Sequence, residues 1–271
     1  MPLQSRRWNM PKRNPEWDKR FDSKREYKRA LSPDRGWISF GLISDTHFVN
    51  NFCREDAVRD IYRDFKRMGI HQVFHCGDLW DGCTGYTQIY PGHIHDVPFI
   101  GFTDGVNYVA KHYPRNGINT SFILGNHDAK VLEREGTDFG ETIAALRPDM
   151  DYLQPYYARI LLSEDPHLTL DLVHLAKHIP YTIGYALQSY LRLIPPSKRA
   201  DIYGMGHTHH HQHVSVEGDD ESFLAGGFQD PNEYSIRRGA GSEIGGYKLR
   251  VKLSTNSPHP IERLESTWLK Y

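Results

Sequence analysis

The feature that most constrains this chain is a recurrence of short apolar, β-rich runs, each stopping at a glycine or at a polar residue able to hold a cation. WISFGLIS, residues 37–44, stops at Asp45, and HQVFHC runs into Gly77 and Asp78. Thr120 to Leu124 leads into Gly125, Leu168 to His174 ends on its own histidine, and Ala200 to Met205 leads into Gly206. Runs this short and apolar predict buried strands, and the polar residues after them predict loops. Between the first two, Val58, Ile61, Tyr62 and Phe65 recur at helical spacing over Asp56 to Met68, and Gly69 is a C-cap candidate. Strands alternating with helical stretches predict an α/β sheet whose functional edge lies where the strands release their polar residues.

A chain of 271 residues, 38% hydrophobic and 25% charged, suffices for one core, so one main domain with tails is expected. Its bounds are 36–256, with an N-terminal arm at 1–35 and a C-terminal tail at 257–271. Trp17, Phe21, Tyr27 and Leu31 permit a weakly amphipathic helix from Pro11 to Ser32, ended by Pro33. Residues 1–30 hold ten Lys or Arg against four Asp or Glu, a local excess of +6 in a chain of formal charge −1. Such an arm suits a solvated tail, a helix docked on its own domain, or contact with nucleic acid. Residues 82–119 form an insertion rich in Gly, aromatics and His, with a helix near Gly105 to His112, read as a lid or substrate wall. After the last glycine motif, HHQHVSV, SFLAGGF and GGYKLRVKL suggest a closing antiparallel sheet.

Cys53, Cys76 and Cys83 are odd in number and lack CxxC spacing, which argues against a disulfide framework or a thiolate zinc site and for a reducing, cytoplasmic setting. No apolar segment follows the N-terminal charges and no run of eighteen apolar residues occurs, so neither a signal peptide nor a membrane span is expected.

The polar residues after the runs have the chemistry of metal ligands. Asp45 and His47 alternate at a strand end and can face one cation; Asp78 offers two carboxylate oxygens able to bridge two cations. Asn126 brings a neutral oxygen and His127 an imidazole that titrates near neutrality. His174 ends LTLDLV, with His178 as its competitor four residues on, and His207 and His209 alternate again in GMGHTHHHQH. Any one of these has a bland structural reading, a turn or an N-cap; all five in this order, each at a predicted strand exit, do not.

This pattern resembles that of the calcineurin-like metallophosphoesterases: DxH, GDxxD, GNH followed by an acid, a lone His, then GHxH. Here the motifs are Asp45 to His47, Gly77 to Asp81, Gly125 to Asp128, His174, and Gly206 to His209, within residues 37–253. The stretch from Tyr181 to Tyr247 is also similar to a group of phage and prokaryotic phosphoesterases, and the whole shares a broad similarity with repair exonucleases. The resemblance implies an α/β, four-layer sandwich of two mixed β-sheets flanked by helices. It implies one divalent ion held by Asp45, His47, Asp78 and His209, and another held by Asp78, Asn126, His174 and His207. Manganese is expected ahead of iron or zinc, all of which suit mixed N and O ligands. His127 would be the acid that protonates the leaving oxygen, and Asp81 the carboxylate that orients it.

Further histidines and aromatics lie near these motifs. His210, His211 and His213 read as supporting or exposed residues, and His93 and His95 as a solvated loop within reach of substrate. Phe48, Trp80, Tyr86 and Tyr90 suit pocket walls or base stacking. Protein phosphatases of the superfamily carry an Arg directly after the second Asp of GDxxD, where this chain has Gly82 and Cys83. That difference favours phosphodiesters, and the basic arm and aromatic insertion favour DNA or RNA among them. The alternatives are small phosphomonoesters or cyclic nucleotides, and a metal-free scaffold subunit of the kind some members of the superfamily have become.

Overall fold

The computed structural model describes residues 26–175, 182–215 and 220–271. Two mixed six-stranded sheets pack face to face with helices on their outer faces, the four-layer arrangement implied by the motifs. One sheet takes the order β12-β11-β2-β3-β4-β5, built from β2 Trp37–Ile43, β3 Gln72–His75, β4 Asn119–Leu124, β5 Met150–Pro155, β11 Gly245–Leu253 and β12 Ile261–Lys270. The other takes the order β1-β6-β7-β8-β10-β9, from β1 Glu26–Lys28, β6 Tyr157–Glu164, β7 His167–Val173, β8 Ile202–Met205, β9 His211–Ser215 and β10 Glu221–Ala225.

The alternation along β2 explains the layering. Ile38, Phe40 and Leu42 point between the sheets and meet Leu168, Leu170, Leu172, Ile202, Leu249 and Val251, all buried. Ile43 points the other way, into a cluster with Val58, Ile61 and Phe65 of helix α1, Glu55–Arg67. Gly41 lies directly beneath this helix: a Cβ there would stand 2.6 Å from the Phe65 ring, so its hydrogen lets α1 sit on the strand. Helices α2 Phe102–His112, α3 Asn126–Glu135 and α4 Phe139–Leu146 also feed this outer cluster. Helix α5 Tyr185–Leu193 covers the far sheet through Leu187 and Leu191. Among the described residues, no helix is long and apolar enough to cross a membrane.

Three expectations are revised. Residues 1–25 lie outside the described part, but the last portion of the expected N-terminal helix is strand β1, parallel to β6, with Arg29 N–H on Leu161 O and Leu31 N–H on Leu162 O. Tyr27 and Leu31 pack on the inter-sheet core, so side chains that suggested one face of a helix serve a strand instead. Residues 257–271, expected as a tail, hold β12, paired along its length with β11. Its charges sit on an exposed sheet edge, where alternation need not be strict. The runs expected to form a closing antiparallel sheet divide between the two sheets: β9 and β10 pair antiparallel at the edge of one, where β10 also joins β8 in parallel, and β11 joins β2 antiparallel in the other.

Candidate metal centre

The five motif segments meet at one place because strand register makes them meet. Ile43 pairs with His75 and Val173 with Met205, so the exits of β2 and β3, and of β7 and β8, are level across the two sheets. The loops then run on together: Asp45 N–H bonds Gly77 O, His47 N–H bonds Asp78 O and Phe48 N–H bonds Leu79 O, each at 3.0 Å. Asp45, His47, Asp78, His207 and His209 all adopt φ between +47° and +81°, a left-handed conformation costing on the order of 1 kcal/mol each where the residue is not glycine. Strain gathered on five residues of one spot marks it as a site the surrounding fold was built to hold.

Two glycines show how closely the segments approach. A Cβ on Gly125 would stand 2.2 Å from Asp78 Oδ1, and one on Gly206 would stand 2.1 Å from Ser44 Oγ and 2.9 Å from Asp45 Oδ2. Asp128 then ties the segments: its carboxylate accepts the backbone N–H groups of Leu79, Trp80 and Gly125 at 2.7–3.1 Å.

Two donor groups result. In the first, His47 Nε2 lies 3.1 Å from His209 Nε2 and 3.8 Å from Asp45 Oδ1, and His209 Nε2 lies 3.4 Å from the same oxygen. In the second, His174 Nε2 lies 3.1 Å from Asp78 Oδ2 and 3.1 Å from Asn126 Oδ1, and His207 offers a further nitrogen. Asp78 Oδ2 is also 3.9 Å from His47 Nε2, so its carboxylate stands between the groups. His174 Nδ1 donates to Cys76 O at 2.7 Å, which leaves the Nε2 lone pair facing the cluster. Asp45 Oδ1 is buried with no hydrogen-bond partner, an orphaned acceptor aimed at the first group. Burial alone would raise the Asp45 carboxyl, but His209 and His47 beside it hold it well below the usual carboxylate range. Asp78, equally buried, is lowered by His174, His127 and His47. Nitrogen and carboxylate donors converging at this spacing, with an unsatisfied buried oxygen, fit a divalent cation.

Beside the cluster, His127 Nδ1 makes a short contact with Asp81 Oδ1, while the His127 backbone N–H donates to Asp78 Oδ1 at 2.8 Å. Every residue singled out in the five motifs is therefore brought to one edge. His178 lies outside the described residues. His210 bonds Glu243, while His211 stacks on Trp268 and His213 on Phe223, so these three leave the cluster. Phe48 and Trp80 are core residues, Tyr86 is exposed, and Tyr90 stacks on Tyr234.

Two neighbours of Asp81 are new. His93, expected on a solvated loop, is fully buried with Nε2 2.8 Å from Asp81 Oδ1, and Asn50 donates to Asp81 Oδ2. The reading of His95 as a surface residue fits its exposure. Asn50 had a usable signal in sequence, three residues beyond the alternating Asp45 and His47; His93 had none, in an aperiodic loop.

No protein-family model and no curated protein matches the chain. Among solved structures, Vps29 from Entamoeba histolytica complexed with zinc aligns at a TM-score of 0.42 and 14% identity, over 86% of this chain and 99% of that chain. A predicted phosphoesterase from Streptococcus pneumoniae TIGR4 aligns at 0.39 and 14%, over 86% and 98%. A hypothetical protein from Pyrococcus horikoshii OT3 aligns at 0.44 and 11%, over 86% and 88%. Likenesses of this size carry nothing about substrate or ligands, so the centre stands on its own geometry.

Proposed function

We propose that the chain is a two-metal phosphodiesterase that acts on nucleic acid. One observation carries this reading: the Asp78 carboxylate stands between two donor groups, Asp45, His47 and His209 on one side and Asn126, His174 and His207 on the other. Two divalent cations held there, manganese ahead of iron or zinc, would neutralise charge on a phosphoryl group and bring the pKa of a water between them near neutrality.

The chain's own residues supply the rest. Asp45 and Asp78 stay ionised through the physiological range and so remain ligands. His127 commits Nδ1 to Asp81, which leaves Nε2 to hand a proton to the leaving oxygen. Position 82, where protein phosphatases of the superfamily place an Arg, has no room for a side chain: a Cβ on Gly82 would stand 2.5 Å from the His127 carbonyl oxygen. A monoester dianion brings one more charge than a diester, and a site without that guanidinium suits the diester. The basic arm and the aromatic insertion favour a polyanion with bases.

The test strips the metal, restores manganese and follows an aryl phosphodiester, its monoester, and labelled single- and double-stranded DNA and RNA, with Asp78→Ala as the blank. Diester and nucleic-acid cleavage that vanishes in the blank is the expected result. Turnover of the monoester alone redirects the site to small phosphomonoesters. No activity from a folded protein that takes up no metal removes the enzyme reading and leaves a scaffold.

A further inference from the structure

The insertion reaches the acid pair through one buried imidazole. His93 begins a single turn, His93–His95, in the middle of residues 82–119, and is 0% exposed. Its Nδ1 accepts the Ile89 backbone N–H at 3.2 Å, so the ring proton sits on Nε2, and Nε2 donates to Asp81 Oδ1 at 2.8 Å. That same oxygen takes His127 Nδ1, and the other carboxylate oxygen takes Asn50. The His93 ring also meets the His127 ring edge to face, with centroids 5.6 Å apart.

A carboxylate gripped by donors from three separate segments has one orientation available, and so has the imidazole bonded to it. We propose that His93 is a positioning residue for the general acid: acting through Asp81, it fixes the orientation of the His127 ring. The insertion is thereby part of the catalytic apparatus and not a detachable lid. This inference rests on the reading of His127 as the acid.

The test uses the metal-loaded protein and two diesters, one with a nitrophenolate leaving group that departs without a proton and one with an alkoxide that needs it. His93→Phe is expected to lose about tenfold or more on the alkyl ester and about twofold or less on the nitrophenyl ester, with metal content unchanged. His93→Gln, whose amide N–H reaches the same oxygen, should recover most of the loss. Equal losses on both esters, or loss of metal, would overturn the proposal in favour of a general structural role. Proton NMR of the zinc-loaded protein supplies a readout that needs no turnover. A downfield imidazole N–H signal, assigned by its disappearance in His127→Asn, should persist in the wild type and His93→Gln and broaden into solvent in His93→Phe. Should the wild type hydrolyse neither ester, the phosphoesterase reading fails, while an unaltered downfield signal in His93→Phe would by itself overturn the role of His93.

Discussion

The strand-exit cradle and the insertion both deliver a histidine to one carboxylate, Asp81, but they are held by different forces. In the cradle, strand register and backbone hydrogen bonds place Asp45, His47, Asp78, His174, His207 and His209, and glycines let the segments close on one another. The insertion has no strand to fix it. His93 arrives through a loop anchored by side-chain bonds, Thr87 Oγ1 to Glu135 at 2.9 Å on one side and Asn232 to Tyr90 at 2.7 Å on the other. Backbone register leaves a pattern in sequence, whereas side-chain anchoring leaves almost none. The two regions should also respond to damage on different scales.

The largest effect belongs to the residue where the regions meet. His127→Asn should lower turnover of an ester with a poor leaving group by about 10²–10⁴-fold while metal content stays at the wild-type level. Metal analysis and steady-state kinetics on the same preparation decide it. Loss of metal together with turnover would mean that the acid and the cradle are one cooperative unit, and the comparison would collapse.

What could be read from sequence follows the same division. The α/β class, helix α1 and the strands that end in motifs were legible because burial on both faces leaves continuous apolar runs that a glycine or acid terminates. Asp45 with His47 and His207 with His209 were legible because alternation after an apolar run suggests two side chains on one side, although the backbone that brings them together is left-handed at all four residues and not extended. Strand β12 was not, since its residues Ile261 to Lys270 are half-exposed at an edge and carry charges on the face a buried strand would keep apolar. The stretch around Tyr27 was misread for the opposite reason: four apolar residues at loose helical spacing fit a helix as well as the strand β1 that long-range pairing with β6 selects. His93 sits among Gly, Pro and His with no period at all, and only tertiary contact with Asp81 buries it.

A smaller effect probes the cradle's floor. His75, at the end of β3, is fully buried, with Nε2 3.1 Å from Thr46 Oγ1 and Nδ1 accepting the Gly77 N–H at 3.2 Å. Burial pushes its pKa down to about 3, whereas an unfolded chain holds it near 6.5. Below pH 6.5 the unfolded chain therefore binds a proton that the folded one refuses. The stability contributed by neutral His75 is complete above pH 6.5 and is lost as pH falls toward 3, at up to about 1.4 kcal/mol per pH unit. Urea midpoints at pH 7.5 and pH 4.5 should fall further in the wild type than in His75→Asn. Identical drops would show that the cradle floor admits protons, which would make it as open as the insertion.

The smallest effect tests whether the insertion is a cooperative unit of its own. Tyr90→Phe keeps the ring that stacks on Tyr234, with centroids 4.5 Å apart, and leans on His93 at 4.8 Å, but removes the hydroxyl bonded to Asp96 and Asn232. Losing those bonds should cost about 1 kcal/mol, and if the insertion opens independently that cost falls on its local opening alone. Amide exchange over residues 89–96 should then accelerate about fivefold while the amides of Asp45 and His47, bonded to Gly77 O and Asp78 O, keep their wild-type rates. Acceleration shared equally by both sets would show one unit closing over the site. In that case His93 would be held as firmly as any strand-exit ligand, and its absence from the sequence pattern would reflect only how tertiary burial writes itself into a loop.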